Sequence, residues 1–439
     1  LISTLPGIWY YLLAMTQIKP FKAVFYNKEK VEDLSKVVCP PYDVISPQEQ
    51  NDFHNLHPNN FIHILLGKDR AQDNKTENKY TRAKEIFEKW LKSRVLIEDD
   101  QEAIYFYRQE FQVRGEKHGR LGFIALMKLQ DPKDSKIYPH EKTHAEAKED
   151  RFRLWSSVKA NLSSIFVCFS DHSRKVETIF HRQVASTEPL IDAVDQDGVR
   201  HIVWRLADPG SVQEIVDTLS NQQLFIADGH HRYEVAMEYR RQRLERFQNS
   251  SRATGQEPFN YVMTYFTNMD SRELQIFPMH RIVKRLPAPL DFLDEFFRID
   301  KIKTKEDLLI MLAKAGRNEH AFGLYTREGI QLLRLKNKSL IDQYVTTGSP
   351  EFRSLDAMIL KSFVLDRVGV KTEDIVYTKD LETVTGMVDS NQADASFVLN
   401  PVPVQQLKTI ALNGERMPPK TTYFYPKVLS GLTVYRLDS

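Results

Sequence analysis

The chain has 439 residues, more than one ordinary hydrophobic core supports, and 41% of them are hydrophobic, the share of a globular protein rather than a disordered or membrane-embedded one. Its 61 basic and 59 acidic side chains leave a formal charge of +2, which excludes a global field drawing the whole molecule onto nucleic acid or an anionic membrane. Cys39 and Cys168 stand far apart with no Cys-x-x-Cys spacing, which excludes a disulfide framework and leads to the expectation of a reducing, cytoplasmic setting.

Residues 1–14, LISTLPGIWYYLLA, are apolar but too short to span a bilayer, lack a basic leader and carry Pro6 and Gly7; they are expected to be a non-native extension ahead of Met15. From Ile18 to Leu66 the chain reads as short strands and turns, with Pro40-Pro41 enforcing a rigid extended turn, then a helical stretch from Pro47 and the apolar run FIHILL. Ala83, Ile86, Phe87 and Trp90 at helical spacing predict a helix over about 80–93, and 103–130 reads as a hairpin around RGEKHG. The loop PHEKTH follows, then a helix bearing Phe152, Trp155, Val158 and Leu162, and strands at SIFVCF, HIVWRL and LFIA. Beyond about 290 a more helical section ends in FVLNP, a short helix over 404–412 and the stretch MPPKTTYFYPK. This mixed order argues an α/β fold of mixed α+β character rather than a bundle or sandwich. The expected parts are 15–130, a core over 131–290 and a C-terminal α/β part over 291–439, with the last boundary near Leu286-Pro287-Ala288-Pro289.

The strongest local signal is the strand LFIA running into Asp228-Gly229-His230-His231-Arg232 and an amphipathic helix. A strand that ends at a glycine where a helix begins presents backbone N–H groups to an anion. Gly229 permits close backbone approach and Arg232 offers a forked contact to phosphate oxygens, while Asp228 suits a metal ligand, a proton acceptor or a helix cap.

Other patterns compete. His140-Glu141-Lys142-Thr143-His144 matches H-E-x-x-H, which on a helix holds zinc and makes a hydrolase; Pro139 directly ahead of it suits a loop or a first turn better. Lys420 and Lys427, set among Thr421, Thr422, Tyr423, Phe424 and Tyr425, suit a phosphate or a stacked base. Arg240, Arg241, Arg243 and Arg246 are interrupted by Glu238 and Glu245, the pattern of a solvated face rather than a nucleic-acid stripe.

Four motifs in one order, VCPPYDVIS, PHEKT with DR and ANLSSIF downstream, IADGHHRYE, and MPPKTTYFYPK, resemble the domain of unknown function 1015 family of prokaryotes, over nearly the whole chain after Met15. His140, Glu141, Thr143, Asp150, Arg151, Asn161 and Ser163 fit the family pattern and His144 does not. The DGHHR turn more distantly resembles the nucleotide-binding turn of the ParB and sulfiredoxin superfamily, which includes free serine kinases. That resemblance implies a ParB/sulfiredoxin-like core in which Gly229, His230, His231 and Arg232 line a phosphate site for ATP or ADP, joined by His140, Thr143, Arg151, Asn161, Lys420 and Lys427. The expected activity is transfer of a phosphoryl group to a small hydroxyl metabolite, free L-serine first, with magnesium on Asp228, charge stabilisation by His231, and Glu141 or Asp228 as base. The alternatives are a ParB-like nucleotide-binding regulator associated with DNA and the zinc hydrolase. Nucleotide and small molecule are the expected partners, with no membrane.

Overall fold

The computed structural model describes residues 15–143, 145–247 and 254–438, so the expectations for residues 1–14 and for His144 fall outside the described residues. The chain forms two compact units, one from the residues up to Pro139, Thr143–Leu274 and Pro426 onward, the other from His140–Lys142 and Gln275–Tyr425. The mixed α+β character holds in both.

In the first unit a nine-stranded sheet runs in the order Ile137–Pro139, Leu224–Asp228, Ile165–Phe169, Tyr261–Asn268, Glu116–Lys128, Ile104–Val113, Arg200–Leu206 and Ile191–Val194, with Ile18–Lys19 pairing along Glu116–Lys128. The expected hairpin is there, tightened to a turn in which Arg114 and Gly115 both take positive φ. It lies in the middle of the same sheet as the 165–169 and 224–228 strands. Ladder hydrogen bonds thus join residues on both sides of 130/131 in one sheet, and the long stretches of the two units part at 274/275 and 425/426. Ile104 to Tyr107 and Ile165 to Phe169 are buried without alternation, the signature of strands covered on both faces.

The helix expected to carry Leu162 spans Ala145–Val158 and stops there, because Lys159 enters the left-handed region at φ 55° and starts the short strand Ala160–Asn161. Its Phe152 and Trp155 pack on Tyr239 of the helix His230–Phe247, with ring centroids 6.4 and 6.3 Å apart.

The second unit holds a six-stranded antiparallel sheet in the order Phe297–Ile302, Gly329–Leu335, Ala321–Thr326, Ala395–Val398, His280–Val283 and Ile375–Thr378. Phe297, Phe322, Phe363 and Phe397 are buried in its core. Gln275–Pro278 pairs with Thr422–Tyr425 in a separate ribbon, and the expected helix at Val404–Leu412 is present. Among the described residues no helix is long and apolar enough to cross a membrane.

Candidate functional site

The strand Leu224–Asp228 carries apolar side chains up to Ala227 and then must change chemistry within one residue. It does so through a bulge. Ile226 pairs with Val167 but Asp228 pairs with Phe166, an irregularity of register that re-aims the aspartate. Gly229 then turns the chain at φ 88°, in the region only glycine enters without strain, and the helix begins at His230.

Asp228 meets two cations. Its Oδ1 accepts from Lys427 Nζ at 2.6 Å and its Oδ2 from Arg232 Nη2 at 2.6 Å, and the three side chains are 14%, 11% and 7% exposed. Arg232 also donates through Nη1 to the Ser164 carbonyl. Burial pushes the Asp228 carboxyl up, but the Lys427 ammonium and the Arg232 guanidinium, with a smaller contribution from His230, hold it far below the usual carboxylate range. One carboxylate against two buried cations leaves a positive charge beside the start of a helix, where the backbone also favours an anion.

Both oxygens of Asp228 are taken by cations in this structure and its proton affinity is suppressed, an arrangement that holds Lys427 and Arg232 in place. Among the described residues no group of three or more His, Cys, Asp or Glu side chains is gathered to hold a metal. Gly229 is needed for a close approach, but the approaching group is the protein's own: a Cβ there would lie 3.0 Å from Nε and Cζ of Arg232. Arg232 is thus rooted inward, while His230 is buried and His231 half-buried at the helix start.

The other residues expected in this unit also fall on defined partners. Thr143 Oγ1 donates to Glu234 Oε2 at 2.6 Å, and Lys148 Nζ reaches the same oxygen at 3.0 Å. Buried Arg151 donates to the Leu65 carbonyl and to Asp150, each at 2.7 Å, and lies over the Tyr42 ring at 4.3 Å. Asp150 in turn takes Tyr80 Oη at 2.8 Å and Lys79 Nζ at 3.2 Å. Asn161 is fully buried and accepts from the Met263 N–H at 2.8 Å; Ser163 Oγ meets Ser430 Oγ at 2.6 Å. Glu234 and Tyr42 were not singled out by the sequence, although both lie inside motifs, IADGHHRYE and VCPPYDVIS, that were.

His140, Glu141 and Lys420 belong to the second unit. Buried His140 accepts on its carbonyl from Met417 N–H at 2.6 Å and its Nε2 lies 3.5 Å from Thr422 Oγ1, while Glu141 Oε1 accepts from the Lys420 N–H at 3.4 Å. Lys420 takes part through its backbone, at φ 57°, and its side chain is exposed. The residues 140–143 are extended, Glu141 bridging to Met417, and the helix begins only at Ala145. The zinc-hydrolase reading of HEKTH requires one helical face, and the described residues of the motif, 140–143, lie outside any helix. The arginine run behaves as a solvated face: Arg241 pairs with Glu238 at 2.6 Å and Glu245 at 2.5 Å, and Arg240 bonds Asn260.

Comparison with known proteins adds the following. No curated protein matches the chain. Similar solved structures include a conserved hypothetical protein from Pyrococcus furiosus, at 12% identity and a TM-score of 0.35, covering 72% of this chain and 96% of that one. A free serine kinase in complex with AMP is similar at 13% identity and a TM-score of 0.33, covering 69% and 86%. SbnI with C-terminal truncation from Staphylococcus aureus is similar at 12% identity and a TM-score of 0.35, covering 70% and 85%. The family described as protein of unknown function DUF1015 matches residues 18–358, a span that ends ahead of the MPPKTTYFYPK segment, and the chain belongs to that family.

Proposed function

We propose that this member of the DUF1015 family binds ATP or ADP at the turn after Asp228 and transfers a phosphoryl group to a small hydroxyl metabolite, with free L-serine the first acceptor to test. The single observation that carries the reading is the Asp228, Lys427 and Arg232 cluster, a positive, buried support placed where a strand ends at Gly229 and a helix begins. In the same reading the first unit is a ParB/sulfiredoxin-like nucleotide-binding core.

Phosphoryl transfer asks the protein mainly to position the reactants and neutralise charge. The backbone N–H groups at His230 and His231 would receive phosphate oxygens, with the His231 side chain and the Lys427 charge stabilising the transferred group. Asp228 keeps Lys427 and Arg232 in place. Thr143, Arg151 and Asn161 shape the surrounding wall. The acceptor's hydroxyl proton is lost to solvent; Glu141, His140 and Lys420 belong to the second unit, and the phosphate site is built from the first. Magnesium would come with the nucleotide phosphates, and no step is routed through a metal on Asp228.

The test is phosphorus NMR of the purified protein with ATP or ADP, magnesium and a panel of hydroxyl metabolites that includes serine. The reading predicts a new phosphomonoester resonance with at least one acceptor and its loss in Lys427→Met. Nucleotide left intact with every acceptor, together with no nucleotide binding, would contradict it. Nucleotide binding without turnover would instead favour the regulator.

A further inference from the structure

The first unit contains a recess of about 30 Å³ whose polar lining is Tyr42, Arg151, Trp155, Ser163 and Arg232, with leucines, an alanine and a valine making up the rest of the wall. Three atoms of that lining are buried and have no hydrogen-bond partner among the described residues: Tyr42 Oη, Trp155 Nε1 and Arg232 Nε. Trp155 and Arg232 are only 8% and 6% exposed. An atom of this kind is costly to leave unsatisfied, and a native protein keeps only a few of them, so three on the residues of one recess call for a common partner.

The chemistry of that partner follows from the three groups. The indole and guanidinium nitrogens only donate, and the tyrosine hydroxyl donates as well. Two guanidiniums line the space, and each shares its carboxylate with a lysine, Arg151 with Lys79 on Asp150 and Arg232 with Lys427 on Asp228. The recess is thus an apolar-walled space whose polar groups are donors and whose two guanidiniums belong to clusters with one cation in excess. About two water-sized positions fit in the volume, the room taken by one compact oxyanion.

We propose that this recess is a binding subsite for a compact oxyanion, a carboxylate or a phosphoryl group, held by Tyr42, Trp155 and Arg232. Its assignment to a substrate rests on the phosphotransferase reading; the subsite itself stands on the recess. If the oxyanion is a carboxylate, the acceptor class is a hydroxy acid or hydroxy amino acid; if it is phosphoryl, the recess belongs to the nucleotide or to a phosphorylated acceptor.

The experiment is NMR of the full chain labelled with nitrogen-15 at the indoles of its 4 tryptophans, with the Trp155 signal assigned by Trp155→Phe. Acetate and inorganic phosphate are titrated separately to about 50 mM, enough to saturate a millimolar site. The proposal expects the Trp155 indole N–H to move downfield and saturate with one of the two anions, which also identifies the source. Tyr42→Phe should weaken that binding about ten- to hundredfold, the effect of one hydrogen bond to a charged group. If that variant fails to fold, the wild-type titration alone decides. A Trp155 signal unmoved by both anions, the outcome if the recess holds only water, overturns the proposal. ATP is titrated into the same samples: nucleotide binding with Trp155 silent to both anions sinks the subsite and spares the nucleotide site, and anion binding without nucleotide does the reverse.

Discussion

Asp228 and Asp150 are the same device built at two depths. Each carboxylate is shared by an arginine and a lysine, Arg232 and Lys427 in one case, Arg151 and Lys79 in the other, and both arginines line one recess. They differ in exposure and in neighbours. Asp228 is 14% exposed and sits on a bulge against a glycine turn, whereas Asp150 is 29% exposed and takes Tyr80 as a further donor. Charges withdrawn from water lean on each other far more than charges that water can still reach. The deeper cluster should accordingly be a keystone of the turn and the shallower one a support for a single side chain.

The largest effect should come from Asp228→Ala, which leaves two buried cations facing each other; a loss of about 3–5 kcal/mol is expected from urea denaturation. Asp150→Ala should cost less, about 1–2 kcal/mol, because Lys79 can turn toward water while Arg151 keeps the Leu65 carbonyl. Equal losses at the two sites would break the comparison. Gly229→Ala tests the turn itself: it forces a side chain into φ 88° and against the Arg232 guanidinium, for about 1–3 kcal/mol and a weakened nucleotide site.

Acid should separate the two clusters next. Burial raises both carboxyls and the adjacent cations, Lys427 and Arg232 at Asp228 and Arg151 at Asp150, outweigh it, so both lie below their ordinary range. A folded value depressed below the unfolded one gives stability that is complete above about pH 4 and drains as the pH falls. Between about pH 7 and about pH 3 the wild type should therefore lose more stability than Asp228→Asn, and Asp150→Asn should resemble the wild type more closely. The smallest effect belongs to Arg241→Ala: its pairs with Glu238 and Glu245 are exposed, and no resolvable change in the denaturation midpoint is expected.

Local patterns were legible in the sequence wherever the structure is local. The 103–130 hairpin, the helix after DGHHR and the helix at Val404–Leu412 follow from periodicity and turn residues alone. The division into units was not legible, because strands distant in sequence become neighbours through ladder hydrogen bonds that leave no mark on composition. The bulge before Gly229 was hidden for a related reason: register depends on the partner strand 165–169. HEKTH has the spacing of a helical zinc motif, yet Glu141 bridges to Met417, a partner far along the chain that the spacing does not reveal. In the site, DGHHR and Lys427 were both visible, but their joining in an ion cluster across 199 residues was not. Lys420 and Lys427, read together as phosphate ligands, fall in different units, and Lys427 pairs with Asp228.

The central claim, that the cluster at Asp228 supports a nucleotide phosphate site, is tested most directly by calorimetric titration of ATP and of ADP into the wild type and into Lys427→Met, with circular dichroism as the control for folding. The account predicts saturable binding of at least one nucleotide to the wild type and at least about tenfold weaker binding to the folded variant, the loss of one charged contact to phosphate. No binding heat with the wild type, or equal affinity in the two proteins, would contradict it.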